Sequence, residues 1–311
     1  MVVSMKGKDL VAIHDLSVEE VRQILKTTEI LKLRCRSGER DQPLAGKTLG
    51  MIFSKPSTRT RVSFEVAIYQ LGGYALYLGA NDLQLGRGET IGDTGRVLSR
   101  YLDGLMIRTF SHQDVIDLAA AASVPVINGL TDLLHPCQGL TDVYTVYEKL
   151  GRLEGVKLVY VGDGNNVAHS LMNGGAKTGM HVVVCTPPGN QPDPKVFEGA
   201  KRDALETGAR IELTHDLREA VSGADVIYTD TWTSMGQEAQ REQKIKELAP
   251  YQVNQALMKA TGKPGTIFMH CLPAHRGEEV TDEVIDSRAS VVLDQAENRL
   301  HTQKAILALV M

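Results

Sequence analysis

Short apolar runs rich in valine, isoleucine and tyrosine alternate along this chain with longer segments whose apolar positions recur every three or four residues. That alternation is the pattern of βαβ units built on a parallel sheet. In the first half, residues 48–54, 75–78, 104–109 and 124–128 read as strands, and residues 58–71, 90–102 and 112–122 as helices between them. The first of these helices stops at Gly72-Gly73, which supplies the left-handed backbone a helix end favours. Nearer the amino terminus, residues 17–33 have helical spacing, with Ser17 as N-cap and Glu20 three positions on, the spacing of a capping box.

A helix over 135–150 runs unbroken to Gly151, and the strand pattern restarts at 156–161. Strands are then expected at 181–185, 210–213, 226–229, 266–269 and 290–293, so the second half is a second sheet domain. The closing segment 297–310 places Leu300, Ala305, Ile306, Leu307 and Leu309 at helical spacing, as a helix packed on a sheet requires. The expected fold is therefore α/β with two domains, each a mainly parallel sheet flanked by helices, and a C-terminal helix packing back on the body. Boundaries fall at 1–148, 149–295 and 296–311, the last segment returning to the first domain, with the helix over 135–150 joining the two.

Composition narrows the function. At 311 residues with 42% hydrophobic content the chain can bury two cores. A net charge of −4 and a pI near 6.2 provide no overall basic field for nucleic acid. No apolar run approaches the length that spans a bilayer, no secretory leader pattern opens the sequence, and the four cysteines lack paired spacing. A soluble protein of the reducing cytoplasm is expected, with neither nucleic acid nor membrane as partner.

Candidate chemistry clusters where strands end. Ser54-Lys55-Pro56-Ser57-Thr58-Arg59-Thr60-Arg61 packs hydroxyls and guanidiniums around a helix start, directly after an apolar strand. Unpaired backbone N–H groups and the positive dipole end there suit a phosphate or an acyl phosphate. Arg108 ends another strand, on the edge of an open α/β sheet where ligands bind. Alone it would be an ordinary solvated arginine; beside the first motif it is a second cationic signal. His135 and Gln138 share one helical turn, where a neutral imidazole can polarise a carbonyl oxygen. Gly162-Asp163-Gly164-Asn165-Asn166-Val167 begins like a dinucleotide fingerprint but has valine where the third glycine belongs, so a nicotinamide cofactor is discounted. An asparagine in that turn can instead bind a ligand carboxylate or amine. Asp230, before Thr231-Trp232-Thr233-Ser234-Met235, is placed to pair with an ammonium. Cys271, between His270 and His275, could act as a nucleophile or tune an amine's protonation, with a buried structural thiol as the plain alternative. No second cluster has zinc-ligand spacing, so no metal is expected.

Taken in order, Ser54–Phe64 (S-K-P-S-T-R-T-R-V-S-F), His135–Gln138 (H-P-C-Q), Asp230–Glu238 (D-T-W-T-S-M-G-Q-E) and His270–Arg276 (H-C-L-P-A-H-R) resemble the aspartate/ornithine carbamoyltransferase family along the whole chain. S-M-G and H-C-L-P are similar to its ornithine branch. The resemblance implies transfer of the carbamoyl group of carbamoyl phosphate to the δ-amine of L-ornithine, giving citrulline and phosphate without a cofactor. It assigns Ser57, Thr58, Arg59, Thr60, Gln84, Arg108, His135, Gln138, Cys271, Leu272 and Arg299 to carbamoyl phosphate, and Asn166, Asp230, Ser234 and Met235 to ornithine. Arg108, His135, Asp230 and Cys271 would be the catalytic groups. Gln84 matches a loop that reaches a neighbouring subunit's site, implying a homotrimer or a multiple of trimers. The rival readings are a carbamoyltransferase for putrescine or N-acetylornithine, and a non-catalytic metabolite-binding relic of the same fold.

Overall fold

Strand pairing is parallel throughout the two sheets, as the alternation of short apolar runs and amphipathic segments requires. The computed structural model describes residues 3–39, 41–79, 83, 88–233 and 238–311. It divides into two units: Met1–Tyr144 with Glu297–Met311, and Thr145–Ala296.

The first unit holds β1 (Thr48–Phe53), β2 (Tyr74–Gly79), β3 (Gly104–Arg108) and β4 (Val126–Leu130) in the order β2-β1-β3-β4. The helices α1 (Val18–Arg36), α2 (Thr58–Gln70), α3 (Ile91–Leu98) and α4 (His112–Ala121) belong to it, and α5 (Pro136–Leu150) begins in it. β1, β3 and β4 are buried almost end to end, as strands covered on both faces are. Ile52, Leu105, Ile107, Val115, Leu118 and Val126 form one core cluster. β2, at the sheet edge, instead leaves Tyr74, Leu76 and Tyr77 exposed. The predicted capping box opens α1: Glu20 N–H donates to Ser17 Oγ at 3.2 Å and Ser17 N–H to Glu20 Oε2 at 2.7 Å.

The second unit orders its strands β7-β6-β5-β8-β9, with β5 (Lys157–Val161), β6 (His181–Cys185), β7 (Arg210–Thr214), β8 (Val226–Thr229) and β9 (Ile267–His270). Around them lie α6 (Asn166–Ala176), α7 (Pro194–Thr207), α8 (Leu217–Val221), α9 (Arg241–Leu248), α10 (Gln255–Ala260) and α11 (Asp282–Ile285). Val159, Val161, Val183, Ile227 and Phe268 are central to its core. The last helix, α12 (Val292–Val310), passes into the first unit from Glu297 onward.

Two expectations need correction. Residues 290–293 are no strand: Ser290 makes one isolated bridge to Phe268, and α12 starts at Val292. The short apolar run there is the first turn of a long helix, a case in which periodicity over four residues cannot separate strand from helix. The helix expected over 90–102 ends at Leu98, where Arg100 and Tyr101 N–H groups turn to Val97 and Leu98 carbonyls and tighten the chain.

Each strand order contains one reversal, and those reversals position the chemistry. In the first sheet the chain leaves β1 toward β2 and returns to the other side at β3, so the crevice opens beyond the carboxyl ends of β1 and β3, where Phe53 sits opposite Arg108. In the second it runs β5, β6, β7 one way and β8, β9 the other, placing the crevice beyond Val161 and Thr229.

Candidate active site

At the first crevice, β1 leads through Ser54 and Lys55 into α2. Ser57 is the N-cap, its hydroxyl accepting the Thr60 N–H at 3.2 Å, which leaves Thr58 and Arg59 in the opening turn. Lys55 is buried, paired with Asp132 and lying 4.0 Å above the Phe110 ring, so it braces the loop. On β3 the register shifts between Ile107 and Arg108, so that Arg108 lies across from Leu130 and Gly129 is skipped. A side chain at Gly129 would meet Met106 Sδ at 2.5 Å and the Ile107 carbonyl at 3.1 Å, so a larger residue at this irregularity requires Met106 to shift.

Thr60, Arg108, His135, Gln138 and Arg299 are all buried in this unit. Arg299 Nη1 donates to Gln138 Oε1 at 2.7 Å and Nη2 to Thr60 Oγ1 at 3.3 Å. Gln138 Nε2 in turn donates to Asp142 Oδ1 at 2.7 Å, which fixes the amide with its oxygen toward the guanidinium. Burial first, then the guanidiniums of Arg299, Arg108 and Arg59, hold the His135 imidazole well below its usual pKa and therefore neutral. Cys137, two residues on, is a different case: burial pushes its thiol up to about 12, and Sγ donates to the Asn128 carbonyl at 3.4 Å. A buried neutral imidazole among three guanidiniums is suited to a doubly charged ligand whose carbonyl oxygen gains charge during reaction.

At the second crevice the carboxyl end of β5 continues into Gly162-Asp163-Gly164-Asn165. Gly162 has φ +143, and a Cβ on Gly164 would lie 2.3 Å from Pro192 N and 2.5 Å from Gln191 C, so the two glycines serve this turn and its close neighbour rather than a pyrophosphate. Asn165 caps α6, its Oδ1 accepting the Val167 and Ala168 N–H groups at 2.9 and 3.2 Å. Its Nδ2 donates to Asp230 Oδ2 at 2.8 Å, and Cys271 Sγ donates to Asp230 Oδ1 at 2.9 Å. Asp230, at the end of β8, thus takes one donor on each oxygen. Asn166 stands half-buried as the first residue of α6.

Behind Cys271, the Leu272 N–H donates to His270 Nδ1 at 2.8 Å, so the ring proton is on Nε2 and points at Glu279 Oε1, 3.1 Å away. Both His270 and Glu279 are fully buried. Leu272 itself has φ 59, a left-handed backbone that leucine rarely adopts, next to a cis Leu272–Pro273 bond. The His270–Glu279 pair therefore holds the turn that presents Cys271 and Leu272.

The structure brings together Thr60, Arg108, His135, Gln138 and Arg299 in one unit and Asp230 with Cys271 in the other, and sets Ser57, Thr58 and Arg59 at the α2 start. Gln84, Ser234 and Met235 lie outside the described residues. Sequence reasoning passed over Asn165, whose neighbour Asn166 it chose, and Glu279, whose partner is nine positions away and which nothing in the residue pattern marked.

Each unit, then, is a doubly wound sheet with its side chains gathered at the reversal of strand order, one set suited to an anionic acyl phosphate and the other to an amine, which defines a two-domain group-transfer enzyme. The chain belongs to the aspartate/ornithine carbamoyltransferase family: residues 8–148 match the family's carbamoyl-P binding domain and residues 154–310 its Asp/Orn binding domain. It is 63% identical to an ornithine carbamoyltransferase of Thermococcus kodakarensis over 311 residues, spanning 100% of this chain and 98% of that one. It is 61% identical to an anabolic ornithine carbamoyltransferase of Pyrococcus furiosus over the same span, again 100% and 98% of the two chains. The solved structure of ornithine carbamoyltransferase from Pyrococcus furiosus superposes with a TM-score of 0.97 at 61% identity, covering 100% of this chain and 99% of that one.

Proposed function

We infer that the protein transfers the carbamoyl group of carbamoyl phosphate to the δ-amine of L-ornithine, releasing L-citrulline and phosphate. The observation that carries this reading is the buried set Thr60, Arg108, His135, Gln138 and Arg299 at the first sheet's crevice, together with the names of the full-length relatives. The anabolic label on the Pyrococcus furiosus relative supports citrulline formation, a step of arginine biosynthesis, as the working direction.

In this reading the phosphate of carbamoyl phosphate rests on the α2 start with Ser57, Thr58, Arg59 and Thr60, and Arg299 neutralises it. Arg108 and His135 donate to the carbamoyl oxygen, with Gln138 on its amide; the neutral state of His135 makes it a hydrogen-bond donor that strengthens as the oxyanion forms. Asn166, Asp230, Ser234 and Met235 take ornithine. An alkyl amine is mostly protonated near neutral pH, and only its free base attacks. Asp230 accepts the surplus proton through Cys271: as the Sγ–H proton passes to Asp230 Oδ1, to which it is already bonded, the sulfur takes one proton from the ammonium, so the thiol is regenerated and the free amine is left to attack. Leu272 completes the carbamoyl-phosphate contacts, and the leaving phosphate takes the proton that the attacking nitrogen sheds, so the C–O bond breaks to give hydrogen phosphate with two negative charges as the new C–N bond is completed.

The working form is a homotrimer or a multiple of it, with Gln84 contributed to a neighbour's site. The exposed Tyr74, Leu76 and Tyr77 on edge strand β2, with Tyr69 and Val62 on α2, support an assembly surface in this part of the chain. The cytoplasm is the compartment that suits four cysteines all present as free thiols. None of the helices in the described residues is long and apolar enough to cross a membrane.

Citrulline formation from carbamoyl phosphate, run in parallel with ornithine, putrescine, N-acetylornithine and aspartate at equal concentration, tests the assignment. Turnover with ornithine far above the others supports it. A preference for another amine overturns the Asn166, Asp230, Ser234 and Met235 assignment, and no carbamoylated product from any of them overturns the enzymatic reading. Sedimentation velocity at micromolar concentration tests the assembly: a monomer there removes the trimer proposal.

A further inference from the structure

The turn that follows Cys271 carries a second group of side chains, which the transfer reaction does not use. His275 Nδ1 lies 3.9 Å from Glu278 Oε2 and 3.9 Å from Glu279 Oε2, and the three atoms are all within 4.8 Å of one another. At 3.9 Å neither approach is a hydrogen bond. Each acid is tied down through its other oxygen. Glu279 Oε1 accepts from His270 Nε2 at 3.1 Å and from the His275 backbone N–H at 2.6 Å, while Glu278 Oε1 pairs with Arg241. Both acids therefore turn their second oxygen toward the same point as the His275 ring nitrogen. Glu279 Oε2 is fully buried and finds no hydrogen-bond donor among the described residues. A carboxylate oxygen removed from water without a donor is costly, and a cation is the partner that relieves it.

We propose that His275, Glu278 and Glu279 bind one divalent transition-metal ion of borderline softness, such as Zn2+ or Co2+. One imidazole nitrogen and two carboxylate oxygens suit such ions better than Mg2+ or Ca2+, which take oxygen ligands. With metal–ligand bonds of about 2.0–2.2 Å, tetrahedral ligand atoms stand about 3.3–3.5 Å apart, so His275 closes on each carboxylate by roughly half an ångström. His275, 44% exposed, can make that movement and leaves a position for water and a path of entry. The hydrogen bonds on the outer oxygens hold the ligands in place, as the partners of metal ligands commonly do. Because the ion would share the Glu279 carboxylate that orients His270, it braces the turn presenting Cys271 and Leu272.

Asp230, His270 and Cys271 form the other metal-capable group, and a thiolate there would compete for the same ions. The test separates the two. The untagged full-length protein is stripped with a chelator and titrated with Co2+, reading visible absorption and, by equilibrium dialysis, stoichiometry. The same titration is run on Cys271→Ser, His275→Gln and Glu278→Gln. The proposal expects one Co2+ per chain, with ligand-field bands and no thiolate charge-transfer band, in both the parent and Cys271→Ser. It expects binding at least about tenfold weaker in both His275→Gln and Glu278→Gln. Loss of the ion in Cys271→Ser overturns it in favour of the sulfur group. Undiminished binding in His275→Gln and Glu278→Gln, or no stoichiometric binding by the parent, overturns it as well. The outcome is independent of turnover, so it stands or falls apart from the substrate assignment.

Discussion

Replacing His135 by alanine isolates one donor without disturbing the helix it precedes. The carbonyl of residue 135 accepts the Gln138 and Gly139 N–H groups, both at 3.0 Å, and this backbone cap survives the change of side chain. What disappears is a neutral imidazole, 5% exposed, surrounded by the charges of Arg299, Arg108 and Arg59. Those guanidiniums remain to bind the phosphate, so ground-state affinity for carbamoyl phosphate should change little. The donor to the developing oxyanion is lost, and one such donor is worth about 2.7–4 kcal/mol, or about 10²–10³ in kcat. The assay is initial-rate citrulline formation at saturating substrates, with KM for carbamoyl phosphate measured alongside. Because the imidazole is already neutral, the parent's rate should also show no His135 ionisation as pH passes the ordinary histidine range near 6.5. His135→Gln, which keeps an amide donor, should recover at least about tenfold of the lost rate. A kcat for His135→Ala within about threefold of the parent, or a defect confined to KM, would refute the donor role.

Three further outcomes are expected. Asp230→Asn turns an amide N–H2 toward either Asn165 Nδ2 or Cys271 Sγ, both donors, and removes the proton acceptor; kcat should fall by about 10²–10⁴ while calorimetric affinity for carbamoyl phosphate holds, and full activity would sink the assignment. Burial, then the ammoniums of Lys32 and Lys304, lower the His301 pKa to about 4, against about 6.5 in an unfolded chain. Below pH 6.5 the unfolded state takes up a proton that the native state refuses, so stability is lost as pH falls from 6.5 toward 4; His301→Gln should narrow the drop in Tm between pH 7 and pH 5, and an unchanged drop would count against this linkage. Gly164→Ala places a methyl 2.3 Å from Pro192 N and 2.7 Å from Asn190 O, backbone atoms that cannot swing aside, and should cost at least about 1–3 kcal/mol by denaturant titration; a neutral result would show that this turn relaxes freely.

Much of this was legible in the residue pattern because parallel strands buried on both faces read as unbroken apolar runs: 181–185 and 226–229 are strands over those same residues. Arg108, Asp230 and Cys271 were visible for the related reason that polar residues ending such runs lie where open sheets bind ligands. The order of the strands was not legible, since β3 beside β1 and β8 beside β5 are pairings across long stretches of chain. That order is what gathers the cations. Choosing between Asn165 and Asn166 likewise depends on which of two adjacent amides faces Asp230, a matter of turn geometry that periodicity does not encode. Glu279 carried no distinguishing signal until the turn after β9 folded it beneath His270.

The chain leaves its first unit at Tyr144 and re-enters it only at Glu297, so Arg299, which meets Gln138 and Thr60, follows the whole of the second unit. During synthesis, amino-terminal segments fold as they emerge, at about 5–20 residues per second. The sheet of the first unit can be assembled early, yet the guanidinium that joins Gln138 and Thr60 arrives only after the second unit has been made. A chain interrupted anywhere in the second unit is thus left with a partly built anion site. Synthesis of the second unit and completion of the first unit's cation cluster are thereby tied together, so a copy truncated within the second unit lacks the guanidinium that bonds Gln138 and Thr60.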